Sequence, residues 1–221
     1  MITIWGRPTS ICTQRVLWAA VEAAQDFELI LASATMGEQG HVETGATPFG
    51  VVDTPAYRRM NPNATVPTID DDGFVLWESN AIVTYLATRY APEQLYGADS
   101  KRLALACQWM AWANERLEPP LHALVMELAR LPETARTPGA AQGAVADITP
   151  WLELLDQHLA RQPFVAGDAF SMGDISTGAA VYRFKLSALD GPRTPHLDRW
   201  LESLSAREGF ARHVAPHHYH F

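Results

Sequence analysis

Apolar positions follow two different periods along the chain, and the change falls near residue 92. The run ITIW at 2–5 is short and apolar and predicts a strand. Over 13–24, Val16, Leu17, Ala20 and Val21 recur at helical spacing and predict a helix. FELIL at 27–31 predicts a second strand. Serine, glycine and proline dominate 33–55, which predicts a loop, followed by a short helix near 56–59. Two further strands are predicted at 66–69 and 74–77, with the DDDG stretch at 70–73 as their turn. Ile82, Val83 and Leu86 then mark a helix over 79–90. A strand joined to the next by a crossover helix implies parallel pairing, and a tight turn implies an antiparallel hairpin. The expected unit is therefore a mixed four-stranded sheet in the order βαβ, then ββα.

From residue 101 onward the pattern is helical throughout, at 101–118, 121–131, 140–161, 175–187 and 195–206. Pro119-Pro120 are expected to bend or break the first of these, and Pro150 the third, because proline lacks an amide proton and clashes with the preceding turn. PEQLYG at 92–97 reads as a linker. The expected organisation is an α/β domain at 1–90, a linker at 91–97 and an all-α helical-bundle domain at 98–221.

Composition narrows the function. The 221 residues carry a net charge of −8, which argues against a nucleic-acid partner, since phosphate contact needs a basic face. The longest apolar runs fall well short of the ~20 residues that span a bilayer, so no membrane partner is expected. The start lacks the apolar core of a signal peptide. Cys12 and Cys107 are far apart in sequence and build no disulfide framework. A cytoplasmic protein is expected. The ending HVAPHHYHF invites a metal reading, but ligation needs a held geometry that a chain terminus does not supply. No metal is expected.

Three places carry candidate chemistry. In NPNATVPTIDDDGFVLWESNAI, at 61–82, a proline stands directly before a strand, where it cannot donate to the ladder. A cis Val66-Pro67 bond would turn the main chain of Val66 outward, where it could pair with a short peptide. Glu78-Ser79 stands where the hairpin ends and a helix begins. Such residues can simply cap the helix, or they can hold a small zwitterion, with Ser79 and the helix amides on a carboxylate and Glu78 on an ammonium. Ser10 stands at the junction of the first strand and the first helix, again either a cap or a reactive hydroxyl. In the second half, Ser171 and Asp174 have the spacing of a structural capping box.

Taken together, NPNATVP followed by WESNAI resembles the glutathione S-transferase family, of the serine-type, phi/theta-like kind, over nearly the whole chain. The resemblance implies a thioredoxin-like domain followed by a helical one, a homodimer, and detoxification as the setting. It implies that the main chain of Val66, before a cis Pro67, binds the cysteinyl part of glutathione. Glu78 and Ser79 then hold the γ-glutamyl end, and Thr65 gives a weaker contact than the amide or basic side chain often found there. Ser10, five residues before Arg15, is implied to stabilise the thiolate, with Thr9 as the nearest alternative donor. The glycyl carboxylate is left to His41, Arg58 or Arg59. One face of the first helices of the second domain, which carry Trp109, Met110, Trp112, His122 and Met126, is implied to wall the pocket of a small hydrophobic electrophile, with Trp112, His122 and Met126 as candidates. Glutathione is then a co-substrate and no cofactor is implied. Two rival readings stand beside this one: a non-catalytic binding or regulatory protein on the same fold, and a disulfide oxidoreductase that uses the thiol of Cys12.

Overall fold

The computed structural model describes residues 1–33 and 50–217, and the chain divides into two compact units. The first comprises Met1–Leu95 together with Glu208–His217, and the described part of the second is Tyr96–Arg207.

In the first unit, β1 (Ile2–Gly6), α1 (Ile11–Glu22) and β2 (Phe27–Ser33) form the predicted βαβ unit, with β1 and β2 parallel. After β3 (Gly50–Val51) and α2 (Pro55–Met60) come β4 (Thr68–Asp71), β5 (Phe74–Trp77) and α3 (Ser79–Tyr90). The four longer strands make the expected mixed sheet, and the two-residue β3 extends it in the order β3-β2-β1-β4-β5. β4 starts two residues later than the hydrophobic run suggested, because Pro67 cannot donate to the ladder. The hairpin is two residues long: Asp71 faces Phe74 across the ladder, and Asp72 and Gly73 both have positive φ, 52° and 87°. That is the conformation of a type I′ turn, which Asp-Gly favours and which matches the twist of the strands.

The expected linker is a short helix, α4 (Pro92–Tyr96), in which proline presets φ at the first position and Leu95 is fully buried. In the second unit, α5 (Ser100–Arg116) ends at Leu117 and α6 (Glu118–Val125) starts at once. Pro119 and Pro120 therefore fall in the first turn of a helix, where a missing amide proton costs nothing. A π-type turn, Met126–Arg130, follows. α7 (Ala140–Leu159) runs through Pro150 without a break, where a bend or a break was expected. Ala144, Ile148, Leu152, Leu155 and Leu159 are buried along one face, and packing of that stripe outweighs the roughly 3 kcal/mol that an interior proline costs. α8 (Met172–Leu186) and α9 (Pro195–Ser205) complete the unit. Asp174 joins them: it is fully buried and accepts from the Val165 and Ser171 amides, the Ser171 hydroxyl and the Trp200 indole, at 2.8–2.9 Å.

The tail departs from the expected boundary. α10 (Glu208–His213) packs with the first unit instead of extending the helical one, lying against α1. Phe210 meets Trp18 edge-on at 5.2 Å. A Cβ on Gly209 would come within 2.3 Å of the Trp18 ring, so only glycine allows this approach. Residue 41 and the last four residues of the histidine-rich tail lie outside the described residues.

Candidate functional site

The ladder registers decide where the candidate residues meet. Thr68 at the start of β4 pairs with Trp5 near the end of β1 and with Trp77 at the end of β5. Both pairings are antiparallel, so the ends of β1 and β5 and the start of β4 lie at one rim of the sheet. Ser10 follows β1, Val66-Pro67 precedes β4, and Glu78-Ser79 follows β5. Two strand spacings separate the outer pair, about 10 Å, which is the length of an extended tripeptide. α1 and α3 begin at this same rim and direct the positive ends of their dipoles toward it.

Ser10 is the N-cap of α1: its hydroxyl oxygen accepts from the Thr13 amide at 3.4 Å. That bond uses a lone pair and leaves the hydroxyl proton to be donated. Capping and chemistry, rivals in the sequence, are compatible here. Ser10 and Thr9 are both buried, and Arg15 is only 1% exposed, so its charge sits inside the unit. Cys12 is half-buried within α1, and neither cysteine is in a disulfide.

The Val66-Pro67 bond is cis. On either side of Val66 the chain is pinned. The Tyr57 hydroxyl (2.9 Å) and the Asn61 amide (3.0 Å) both donate to the Thr65 carbonyl, and the same two groups bond the Thr68 hydroxyl at 2.8 and 3.1 Å. Burial pushes the Tyr57 hydroxyl's pKa up, against the opposing bond from Thr68, which keeps its proton in place. Between the pinned residues, the N–H and C=O of Val66 make no hydrogen bond among the described residues. Tyr57, Asn61 and Thr68 were not singled out in the sequence. The visible signal was NPN at 61–63, a turn-forming triplet whose Asn61 side chain also accepts from the Asn63 amide at 3.0 Å.

Glu78 is the N-cap of α3 with φ 75° and ψ 111°, a region that L-residues other than glycine rarely occupy. It is exposed, and its carboxylate accepts from Asn80 at 3.5 Å. Ser79 is buried, and its hydroxyl has no partner among the described residues. The rim thus presents an unpaired main-chain pair flanked by two helix starts, each with a serine proton to give.

Comparison with known proteins points the same way. Residues 9–89 match the family model of the glutathione S-transferase N-terminal domain, and residues 138–203 that of the C-terminal domain. Glutathione S-transferase GstB of Escherichia coli strain K12 is 34% identical over 209 residues, covering 94% of each chain. The chain belongs to the glutathione S-transferase family. Among solved structures, the theta class glutathione S-transferase of Xanthomonas axonopodis pv. citri with glutathione bound superposes with a TM-score of 0.86, at 37% identity over 97% of each chain. Glutathione transferase F2 of Populus trichocarpa, at 23% identity and a TM-score of 0.78, shares the fold over 98% of this chain and 99% of its own.

Other positions that the family resemblance singled out are placed as follows. Of the two arginines of α2, Arg58 is paired with Asp53 at 2.7 Å, while Arg59 is exposed and has no partner among the described residues. Thr65 is exposed. Trp112 lines a cavity of about 360 Å³ in the helical unit together with Trp109, Leu154 and His158. Trp109 packs against both Trp112 and His158, at 4.9 and 4.4 Å between ring centres. His122, exposed on α6, and Met126, at the start of the π-type turn, do not line that cavity. Met110 is buried in the core. Among the described residues no group of three or more His, Cys, Asp or Glu side chains is arranged to hold a metal ion, and no helix is long and apolar enough to cross a membrane.

Proposed function

We infer that this protein is a cytoplasmic, homodimeric glutathione transferase in which Ser10 holds bound glutathione as its thiolate for attack on a hydrophobic electrophile. The observation that carries the reading is the unpaired main chain of Val66, fixed between Thr65 and Thr68 and flanked at one sheet rim by Ser10 and Ser79. Val66 pairs with the main chain of the cysteinyl residue, as one strand does with another. The α-carboxylate of the γ-glutamyl group lies on the Ser79 hydroxyl and the first amides of α3, and its ammonium pairs with Glu78. Thr65 adds a contact from the exposed side of the loop, and the glycyl carboxylate falls to Arg59, since Arg58 is already paired with Asp53.

The energetics fit. A thiol titrating near 8.5 is only about 3% ionised at pH 7. One hydrogen bond to the charged sulfur contributes about 1.5–3 kcal/mol, and a helix start about 0.3–1. At about 1.4 kcal/mol per unit, their sum lowers the thiol by roughly two units and makes the thiolate the major form. The proton leaves when glutathione binds. The sulfur lone pair then forms the new carbon–sulfur bond as the leaving group departs with its electrons. Glutathione is consumed as co-substrate, and the scheme needs no further cofactor. Trp112, with His122 and Met126, is assigned to the electrophile side.

Ultraviolet difference absorbance of bound glutathione, titrated with pH, tests this. Ser10→Gly removes the hydroxyl at little cost to the helix cap. It is expected to return the thiol toward its ordinary value and slow conjugation of aryl halides near pH 7 about tenfold or more. Cys12→Ala is expected to change neither. The reading fails if the glycine variant keeps thiolate and rate while the Cys12 variant loses them, or if bound glutathione shows no thiolate near neutrality.

A further inference from the structure

The loop 7–10 that carries Ser10 is tied to the first turn of α1 by bonds of unequal quality. The Arg7 amide donates to the Thr13 hydroxyl, and the Thr13 amide donates to the Ser10 hydroxyl, both at 3.4 Å, which is long for such bonds. The Gln14 side chain holds the loop more closely: its Nε2 donates to the Pro8 carbonyl at 2.8 Å. The main-chain amide of Gln14 also donates to the Ser10 carbonyl, at 2.8 Å. One residue thus grips the chain at Pro8 and again at Ser10, and with 2% of its surface exposed it has little room to move.

The same Nε2 donates to the carbonyl of His217, on the segment that follows α10. Both acceptors are carbonyls, and a carboxamide nitrogen has two protons to give them. A segment near a chain end keeps its place only where it is tied down, and α10 ties this one. Val214 is 1% exposed, and Gly209 and Phe210 lie against Trp18. Trp18 stands four residues after Gln14, on the same face of α1. The aromatic contact and the carboxamide therefore dock 208–217 along one stripe of the helix that begins at Ser10.

We propose that Gln14 is a positioning residue for Ser10, hanging the loop, through Pro8, on the docked C-terminal segment, through His217. With Ser10 as the donor to the thiolate, the reading on which this rests, the direction of its hydroxyl decides how much of the thiol is ionised. A group in that role must be held to within about 0.5 Å by neighbours that are themselves fixed. The main-chain bond from Gln14 fixes the Ser10 carbonyl, and the path of 7–9 sets where its Cβ points. Without the carboxamide, that path is left to the two long bonds of Thr13.

The test is the pH titration of the thiolate absorbance of bound glutathione, with Ser10→Gly as reference. Gln14→Met keeps the length of the side chain and removes both donors. It is expected to raise the titration by about one unit and to slow conjugation about threefold near pH 7, with the rate recovering above about pH 8.5. Affinity for S-methylglutathione, which has no thiol, is expected to stay within about twofold, because Val66, Glu78 and Ser79 are untouched. A Cβ on Gly209 would come within 2.9 Å of the Trp18 carbonyl, so Gly209→Ala forces α10 away from α1. It is expected to raise the titration likewise, and to add little in combination with Gln14→Met. No shift with Gln14→Met while Ser10→Gly shifts overturns the positioning role and leaves Ser10 standing; no shift with either overturns both. Slow conjugation at every pH together with lost S-methylglutathione binding marks general damage and overturns the proposal. No shift with Gly209→Ala, or full additivity of the two variants, overturns it as well.

Discussion

At Glu78 the backbone conformation works against stability. A non-glycine residue at φ 75°, ψ 111° costs about 1–3 kcal/mol and persists only where its surroundings hold it. The strain sits where an acidic side chain must leave a strand and reach the rim in one step. Glu78→Gly is accordingly expected to raise stability by about 1 kcal/mol, read as a higher urea midpoint, while weakening glutathione binding about tenfold. Glu78→Gln keeps the strain and loses the charge, so calorimetry should find the weaker binding without the gain in midpoint. A glycine variant with unchanged midpoint would show that the conformation costs nothing. Ser10 shows the opposite economy. One hydroxyl accepts from Thr13 to cap the start of α1 and still has its proton to give, so a cap residue is placed at the rim by the same bond that starts the helix.

At the scale of elements, α10 is the informative case. A six-residue helix is far too short to hold itself together, and this one is fastened by Phe210 on Trp18 and by His213 against Phe27, at 5.6 Å between rings. Burial, aided by the Arg212 and His217 charges and opposed by Glu208, lowers the His213 pKa to about 4. Its Nε2 is buried with no hydrogen-bond partner among the described residues. An unfolded histidine takes its proton near 6.5. Between pH 6.5 and 4 the unfolded chain therefore binds more protons than the native one, and stability falls as the pH is lowered through that window. His213→Phe should flatten the decline, measured as urea midpoints at pH 7 and pH 4.5. An equal decline in both proteins would exclude His213 as its source. α7 makes a related point, since its buried stripe carries Pro150 without a break.

For the whole molecule, the division into units keeps the glutathione residues apart from the buried network that holds the helical unit together. Every residue assigned to glutathione belongs to the first unit, whereas Asp174 organises the second. Burial pushes the Asp174 pKa up while its hydrogen bonds pull it down. Asp174→Ala would leave the Val165, Ser171 and Trp200 donors without their acceptor inside a packed core. It is expected to cost about 3 kcal/mol or more, seen as a large fall in urea midpoint. Retention on immobilised glutathione in the cold should persist, because the rim that binds it is built without Asp174. Loss of retention with an unchanged midpoint would assign Asp174 to the site instead.

Much of this was legible in the residue order. The βαβ and ββα units, the Asp-Gly hairpin, the helical second half and the Ser171–Asp174 capping box follow from local periodicity and turn chemistry, which act within a few residues. Ser10, Val66, Pro67, Glu78 and Ser79 could be named because they sit at element ends, where free amides and special dihedrals concentrate. Tyr57 and Thr68 could not, since their mutual hydrogen bond spans 11 residues across two turns, whereas Asn61 had its local signal in the NPN triplet. The passage of α7 through Pro150, the short helix in place of a linker and the docking of α10 on α1 were decided by tertiary structure alone. Each depends on apolar surface supplied by distant residues, and burial energy has no counterpart in local sequence.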